Sequence, residues 1–330
     1  MSRNSPSSYT FRLSTHFLLS DFLGCHSVYA RGLANRFTFD EVAIREGEHL
    51  CNTLLEPLLE EFGPVSIFYG YISPSLSKAI VKYQDPSKPS YHRWDKGAAA
   101  DVIFHRQVVR TAPIFLAHRI DEEFPEYSRM ITYAESAGIC LATDSRESTP
   151  RRAFYENRYI GPGVKPLYVR KSSVAAARAK ERDSLVLEHD WRGAGYPTYH
   201  CGGKRQLQDI RVGDVNVLTD FLYDGYKVEQ GLPNTYGLRE RRPLFRKAAE
   251  FYGRLLITLK TPRVSIVRGY SAGSANEFGW HRRFALQLAP PTYVGLDEIA
   301  DAASEMRDLV GDVKIGRVSG TVLVEGVYGQ

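Results

Sequence analysis

The pattern Val-Ser-Ile-x-x-Gly-Tyr occurs twice in this chain, at 65–71 and again 199 positions later at 264–270. An internal recurrence at fixed spacing constrains the fold strongly, because it means that one supersecondary unit has been used twice. The flanking sequence repeats as well. Leu50, Leu54, Leu55, Leu58, Leu59 and Phe62 form one apolar helical stripe before the first copy, and an apolar helical stretch over 244–256 precedes the second. Each copy is followed by a histidine (His92, His281), then a strand (98–104, 284–288), a helix (from Pro113 to about 124, and 296–309) and a closing strand (138–143, 320–325). Helices mixed with short strands in this order predict an α+β architecture. The expected organisation is two tandem α+β domains, 9–147 and 191–330, in keeping with a length of 330 residues. Between them, 148–190 is rich in Arg and Lys and reads as a basic linker, with a short Ala-rich helix at 173–182. Pro57 is expected to kink the first helix, and 75–91 reads as a polar loop.

Composition excludes several classes. No apolar run approaches the roughly 18 residues that span a bilayer, so no membrane partner is expected. The polar start, Met-Ser-Arg-Asn-Ser-Pro-Ser-Ser-Tyr, lacks an apolar core, so no signal peptide is expected. The net charge of +5, from 43 basic and 38 acidic residues, is that of an ordinary surface, and nucleic acid is not an expected partner. The four cysteines, Cys25, Cys51, Cys140 and Cys201, form no Cys-x-x-Cys pair and read as reduced, mostly buried residues. Gly269–Gly273 matches Gly-x-Ser-x-Gly around Ser271, but the one later histidine, His281, precedes every later acidic residue except Glu277, which argues against a serine hydrolase.

The chemistry-bearing stretch is Ser90-Tyr-His-Arg-Trp-Asp-Lys-Gly-Ala-Ala-Ala-Asp101. A neutral imidazole, His92, and a carboxylate, Asp101, held on neighbouring strands suit a zinc ion. This stretch, with Ser90, His92, Gly97, Ala99 and Asp101, resembles the M15 family of zinc peptidases, the D-Ala-D-Ala and peptidoglycan peptidases of the Hedgehog/DD-peptidase fold. Ser14-Thr-His-Phe17 with Ser20-Asp-Phe22 is similar to the opening of phage-type members, with His16 itself read as a packing residue. The eight residues between His92 and Asp101 are two more than the family's usual spacing.

The resemblance implies two tandem Hedgehog/DD-peptidase-like domains, the second more degenerate. It implies zinc held by His92, Asp101 and a histidine on the closing strand, with an acidic base shortly before it. Glu135 falls near the place of that base. Leu141 aligns with the third ligand, and leucine binds no metal. Cys140, Asp144 and His118 are the alternatives, with Cys140 expected on the opposite face of the strand from Leu141. In the second copy no ligand set is visible beyond Glu325. The expectation is therefore a degenerate, non-hydrolytic scaffold with zinc absent or weakly bound. Such a scaffold would serve as a binding or structural module, as in a phage virion, with peptidoglycan or other virion proteins as partners. It would be cytoplasmic at synthesis and then assembled into a particle or released by lysis. The alternative is a zinc-dependent peptidase cleaving peptidoglycan stem peptides.

Overall fold

The computed structural model describes residues 10–80, 90–105, 113–133, 138–158, 167–171, 212, 215–236, 238–239, 241–272, 280 and 283–327. The short helix α1 (His26–Arg31) is followed by α2 (Glu41–Leu50), capped by the Asp40 carboxylate on the Val42 amide at 3.0 Å. A π-helical turn, Cys51–Leu55, links α2 to α3 (Glu56–Phe62). Pro57, which has no N–H to give, falls in the first turn of α3, directly after the π turn. Strand β1 (Val65–Tyr69) leads to α4 (Pro74–Ile80), a helix where a loop was expected. Then come β2 (Ala98–Phe104), α5 (Pro113–Glu123), β3 (Arg129–Tyr133) and β4 (Ile139–Thr143).

Two more strands, β5 (Ala153–Arg158) and β6 (Leu167–Lys171), extend this sheet to the order β1-β2-β4-β3-β5-β6. Part of the segment read as a basic linker is thus built into the first sheet: β5 pairs parallel to β3 and antiparallel to β6. Phe154 is fully buried and joins the main core, which a charge count over the segment hides. The Ala-rich stretch at 173–182 lies outside the described residues.

The second unit repeats the plan. Helices α6 (Gly225–Gln230) and α7 (Arg242–Thr258) precede β7 (Ser265–Arg268) and β8 (Ala285–Ala289), and α8 (Leu296–Glu305) precedes β9 (Val310–Gly316) and β10 (Thr321–Gly326). Its sheet order is β7-β8-β10-β9, matching β1-β2-β4-β3. The chain is thus α+β with two sheets, and no helix among the described residues is long and apolar enough to cross a membrane.

The repeated motif has a structural explanation in both copies. Asn35 donates to the carbonyls of Leu23 and Tyr71 and accepts from the Ser73 amide; Asn234, 199 positions on, donates to those of Leu222 and Tyr270 and accepts from the Ala272 amide. A Cβ on Gly70 would lie 2.8 Å from the Phe22 backbone, and one on Gly269 would lie 2.3 Å from the Phe221 carbonyl oxygen. Those positions need glycine because two backbones approach closely there. Trp94 and Trp280, both fully buried, reach the carbonyls of Ala99 and Ala285.

The units meet through reciprocal contacts between equivalent positions. The Asn35 amide donates to the Val228 carbonyl and the Asn234 amide to that of Tyr29. Asp21 caps a 3₁₀ turn (Leu19–Phe22) through the Leu18 amide and accepts from Ser265 of the second unit at 2.9 Å. Asp220 does the same in its own turn (Leu218–Phe221) and accepts from Ser66 of the first unit at 2.5 Å. The motif's serine therefore serves the junction. Arg263 breaks the symmetry: it pairs with Asp21 at 2.7 Å and donates to the Val65 carbonyl.

Candidate metal centre

Strands β2 and β4 pair antiparallel, with Ala99 opposite Ala142, Ala100 opposite Leu141 and Asp101 opposite Cys140. Alternation along each strand then sorts the side chains. Ala98, Ala100, Val102, Leu141, Met130 and Phe154 face the main core, beneath α2, which lies against β2 and β4, and α5, which lies against β3. Ala99, Cys140, Ala142 and Ile131 form a separate cluster on the other face, flanked by Tyr91, Tyr133 and Tyr155. Asp101 shares the parity of Ala99 and lies on this second face.

The two faces separate the residues weighed for the third ligand. Leu141 is fully buried in the main core, on the face opposite Asp101. Cys140 is on the ligand face, directly across from Asp101. His92 also departs from expectation. It sits not on a strand but on a 3₁₀ turn, Tyr91–Arg93, that ends at Trp94 in a left-handed conformation (φ 55°).

Three groups converge. His92 Nε2 lies 3.7 Å from Asp101 Oδ1 and 3.8 Å from Cys140 Sγ, and one ligand atom from each of the three falls within 4.8 Å of the others. Ligand atoms held about 2.0–2.3 Å from a tetrahedral ion lie roughly 3.3–3.8 Å from one another, so the cluster has nearly the dimensions of a zinc site. The imidazole is oriented for this. His92 Nδ1 is 2.9 Å from the Gly70 carbonyl, which only accepts, so Nδ1 carries the proton and Nε2 presents its lone pair to the cluster. Burial lowers the proton affinity of His92 more than Asp101 raises it, keeping the ring neutral.

The carboxylate is equally prepared. Tyr133 donates to Asp101 Oδ2 at 3.1 Å, while Oδ1 is buried and meets no nitrogen or oxygen donor among the described residues. A buried acceptor without a donor is costly, and a cation at this point would satisfy it. Burial first, and then Asp101, push the Cys140 thiol well above its ordinary value. Arg129, whose guanidinium lies over the Tyr91 ring at 4.5 Å, acts in the opposite sense on that sulfur. A metal ion reverses the balance, because a coordinating thiol is deprotonated outright. His92, Asp101 and Cys140 thus fit a zinc ion by donor type, spacing and an unpartnered oxygen.

The other candidates lie apart. Asp144 is bound by the Arg146 guanidinium at 2.8 and 2.9 Å, which holds its carboxyl below the usual range. His118 pairs with Glu122 on α5 at 2.9 Å. His16, buried, pairs with Glu56 at 2.6 Å and Tyr293 at 2.8 Å, a packing role. Ser271, at the serine of the Gly-x-Ser-x-Gly match, is buried. Glu135 lies outside the described residues.

In the second unit Gln287 pairs with Leu323 across β8 and β10 and with Arg268 on β7, where the first unit has Asp101, Cys140 and Tyr69. Glu325 is buried against Arg283 at 2.8 Å. His281, expected near the place of His92, lies outside the described residues.

Comparison with known proteins returns no matching family model, no matching curated protein and no matching solved structure.

Proposed function

We propose that this chain is a zinc-dependent peptidase with one metal centre, held by His92, Asp101 and Cys140 on the open face of the first sheet. The observation that carries this reading is the convergence of a correctly oriented imidazole nitrogen, an unpartnered carboxylate oxygen and a thiol at zinc-site spacing. The resemblance of 90–101 to M15 peptidases then supplies the reaction class, amide hydrolysis in peptidoglycan stem peptides, and the Hedgehog/DD-peptidase fold for each unit. Cys140 stands where that family uses histidine. A zinc ion in such a site supplies Lewis acidity and activates water. The chain's own contribution is to orient His92 through the Gly70 carbonyl, to aim Asp101 through Tyr133 and to border the site with Tyr91 and Tyr155.

A second reading is a non-hydrolytic binding or structural module, such as a virion component. It is favoured by the second unit, which keeps the scaffold with Gln287 and Leu323 in place of Asp101 and Cys140. One experiment separates the two: metal analysis of the purified full chain beside peptidoglycan digestion with and without chelator. One zinc per chain and chelator-sensitive cleavage support the peptidase. Zinc-free protein that leaves peptidoglycan intact supports the module.

A further inference from the structure

Three protein ligands make either a closed or an open centre, depending on how the carboxylate binds. With both Asp101 oxygens engaged, a tetrahedral ion is filled by the protein; with one, a position remains for water or substrate. The surroundings of Asp101 decide between them. Tyr133 is two residues beyond Ile131, which pairs with Cys140. Thr132 pairs with Ile139, so the next position along β4 is Gly138, which puts no side chain between Tyr133 and β2. The tyrosine reaches over β4 and donates to Oδ2. Oδ1, which meets no nitrogen or oxygen donor among the described residues, is the one 3.7 Å from His92 Nε2. One carboxylate oxygen is thus committed to a hydrogen bond and the other to the cluster.

We propose that Tyr133 is a positioning residue that keeps Asp101 a single-oxygen ligand and thereby holds one coordination position open. This rests on the metal reading above and gives it content: an open position is what separates a catalytic from a structural zinc site. Residues that orient metal ligands typically contribute tenfold to hundredfold in affinity or activity. Removing the Tyr133 hydroxyl frees Oδ2 to close the site.

The test uses the full chain loaded with Co²⁺, whose visible spectrum reports coordination, and azide as a probe of the open position. The unmodified protein is expected to show a thiolate-to-cobalt charge-transfer band from Cys140 and a shift of its visible bands with azide. Tyr133→Phe, checked for an unchanged melting temperature, is expected to keep the charge-transfer band, shift its visible bands as a carboxylate oxygen takes the open position, and bind azide at least about tenfold more weakly. An unmodified cobalt protein that has the thiolate band but ignores azide overturns the inference without any variant. So does a Tyr133→Phe protein whose visible bands and azide affinity match the parent's. Absence of the thiolate band in the parent overturns the metal reading itself, and the inference with it.

Discussion

At the scale of single residues, the proton inventory of the cluster fixes how metal binding depends on pH. His92 is kept neutral by burial, so it releases no proton to a metal at neutral pH. Cys140 is protonated, because burial and the neighbouring Asp101 raise its thiol. Zinc must therefore displace one proton, from sulfur, and its affinity is expected to rise about tenfold per pH unit through neutrality. Calorimetry in buffers of different ionisation enthalpy measures the released proton directly; release of none removes Cys140 from the ligand set. Cys140→Ser is expected to weaken zinc by about a hundredfold or more while changing stability little, since a hydroxyl replaces a thiol of similar size. Leu141→His tests the rejected alignment. It puts a polar ring into the main core, is expected to cost about 3 kcal/mol or more, and adds no zinc affinity. Gain of a tight zinc by that variant would reverse the assignment of the two faces.

At the scale of elements, Asp101 and the strand that carries it were legible from the Gly97-Ala98-Ala99-Ala100 run, but the partner face of β4 was not. Parity along a strand follows from sequence; which parity faces Asp101 follows from the inter-strand register, fixed by how the chain returns between β2 and β4. In that register Cys140, not Leu141, lies across from Asp101. The 3₁₀ turn carrying His92 leaves no periodicity in three residues. The strands β5 and β6 were hidden by the basic residues around them. What did transfer was the repeat, and its glycines make an element-level test. Gly70→Ala and Gly269→Ala each drive a methyl into the backbone of a neighbouring turn, at 2.8 and 2.3 Å, and are expected to cost about 1–3 kcal/mol apiece. Only Gly70 also supplies the carbonyl that orients His92. Gly70→Ala is thus expected to weaken zinc binding as well as stability, and Gly269→Ala to lower stability alone. Equal zinc affinity in the two variants would mean that the Gly70 carbonyl does not set the imidazole.

At the scale of the whole molecule, the two units are joined by equivalent contacts that are electrostatically unequal. Asp21 and Asp220 occupy matching turns, and each accepts from a serine of the other unit. Asp21 has Arg263 beside it at 2.7 Å. The position 199 residues before Arg263 is Pro64, so Asp220 has no matching guanidinium. Removing Arg263 leaves the buried Asp21 without its cation and the Val65 carbonyl without a donor, and Arg263→Ala is expected to cost about 3–5 kcal/mol by chemical denaturation. Asp220 gives the pH signature of the junction. Burial pushes its carboxyl up from 3.8 to about 6, against the hydrogen bonds from Ser66 and the Val217 amide that favour the charged form. The folded state therefore holds this proton more tightly than the unfolded chain does. Its stabilising contribution is fully present below about pH 4 and is lost as pH rises through about 6. Asp220→Asn keeps a neutral acceptor at all pH values and lacks this loss. The melting temperature of the variant minus that of the parent is expected to climb between about pH 4 and pH 6 and to level off above about pH 7. Taking the difference cancels the many carboxylates that titrate alike in both proteins. A difference flat across that range would mean that Asp220 is ionised in the folded junction throughout, stabilised by Ser66, the Val217 amide and the more distant Arg263 as fully as water would stabilise it.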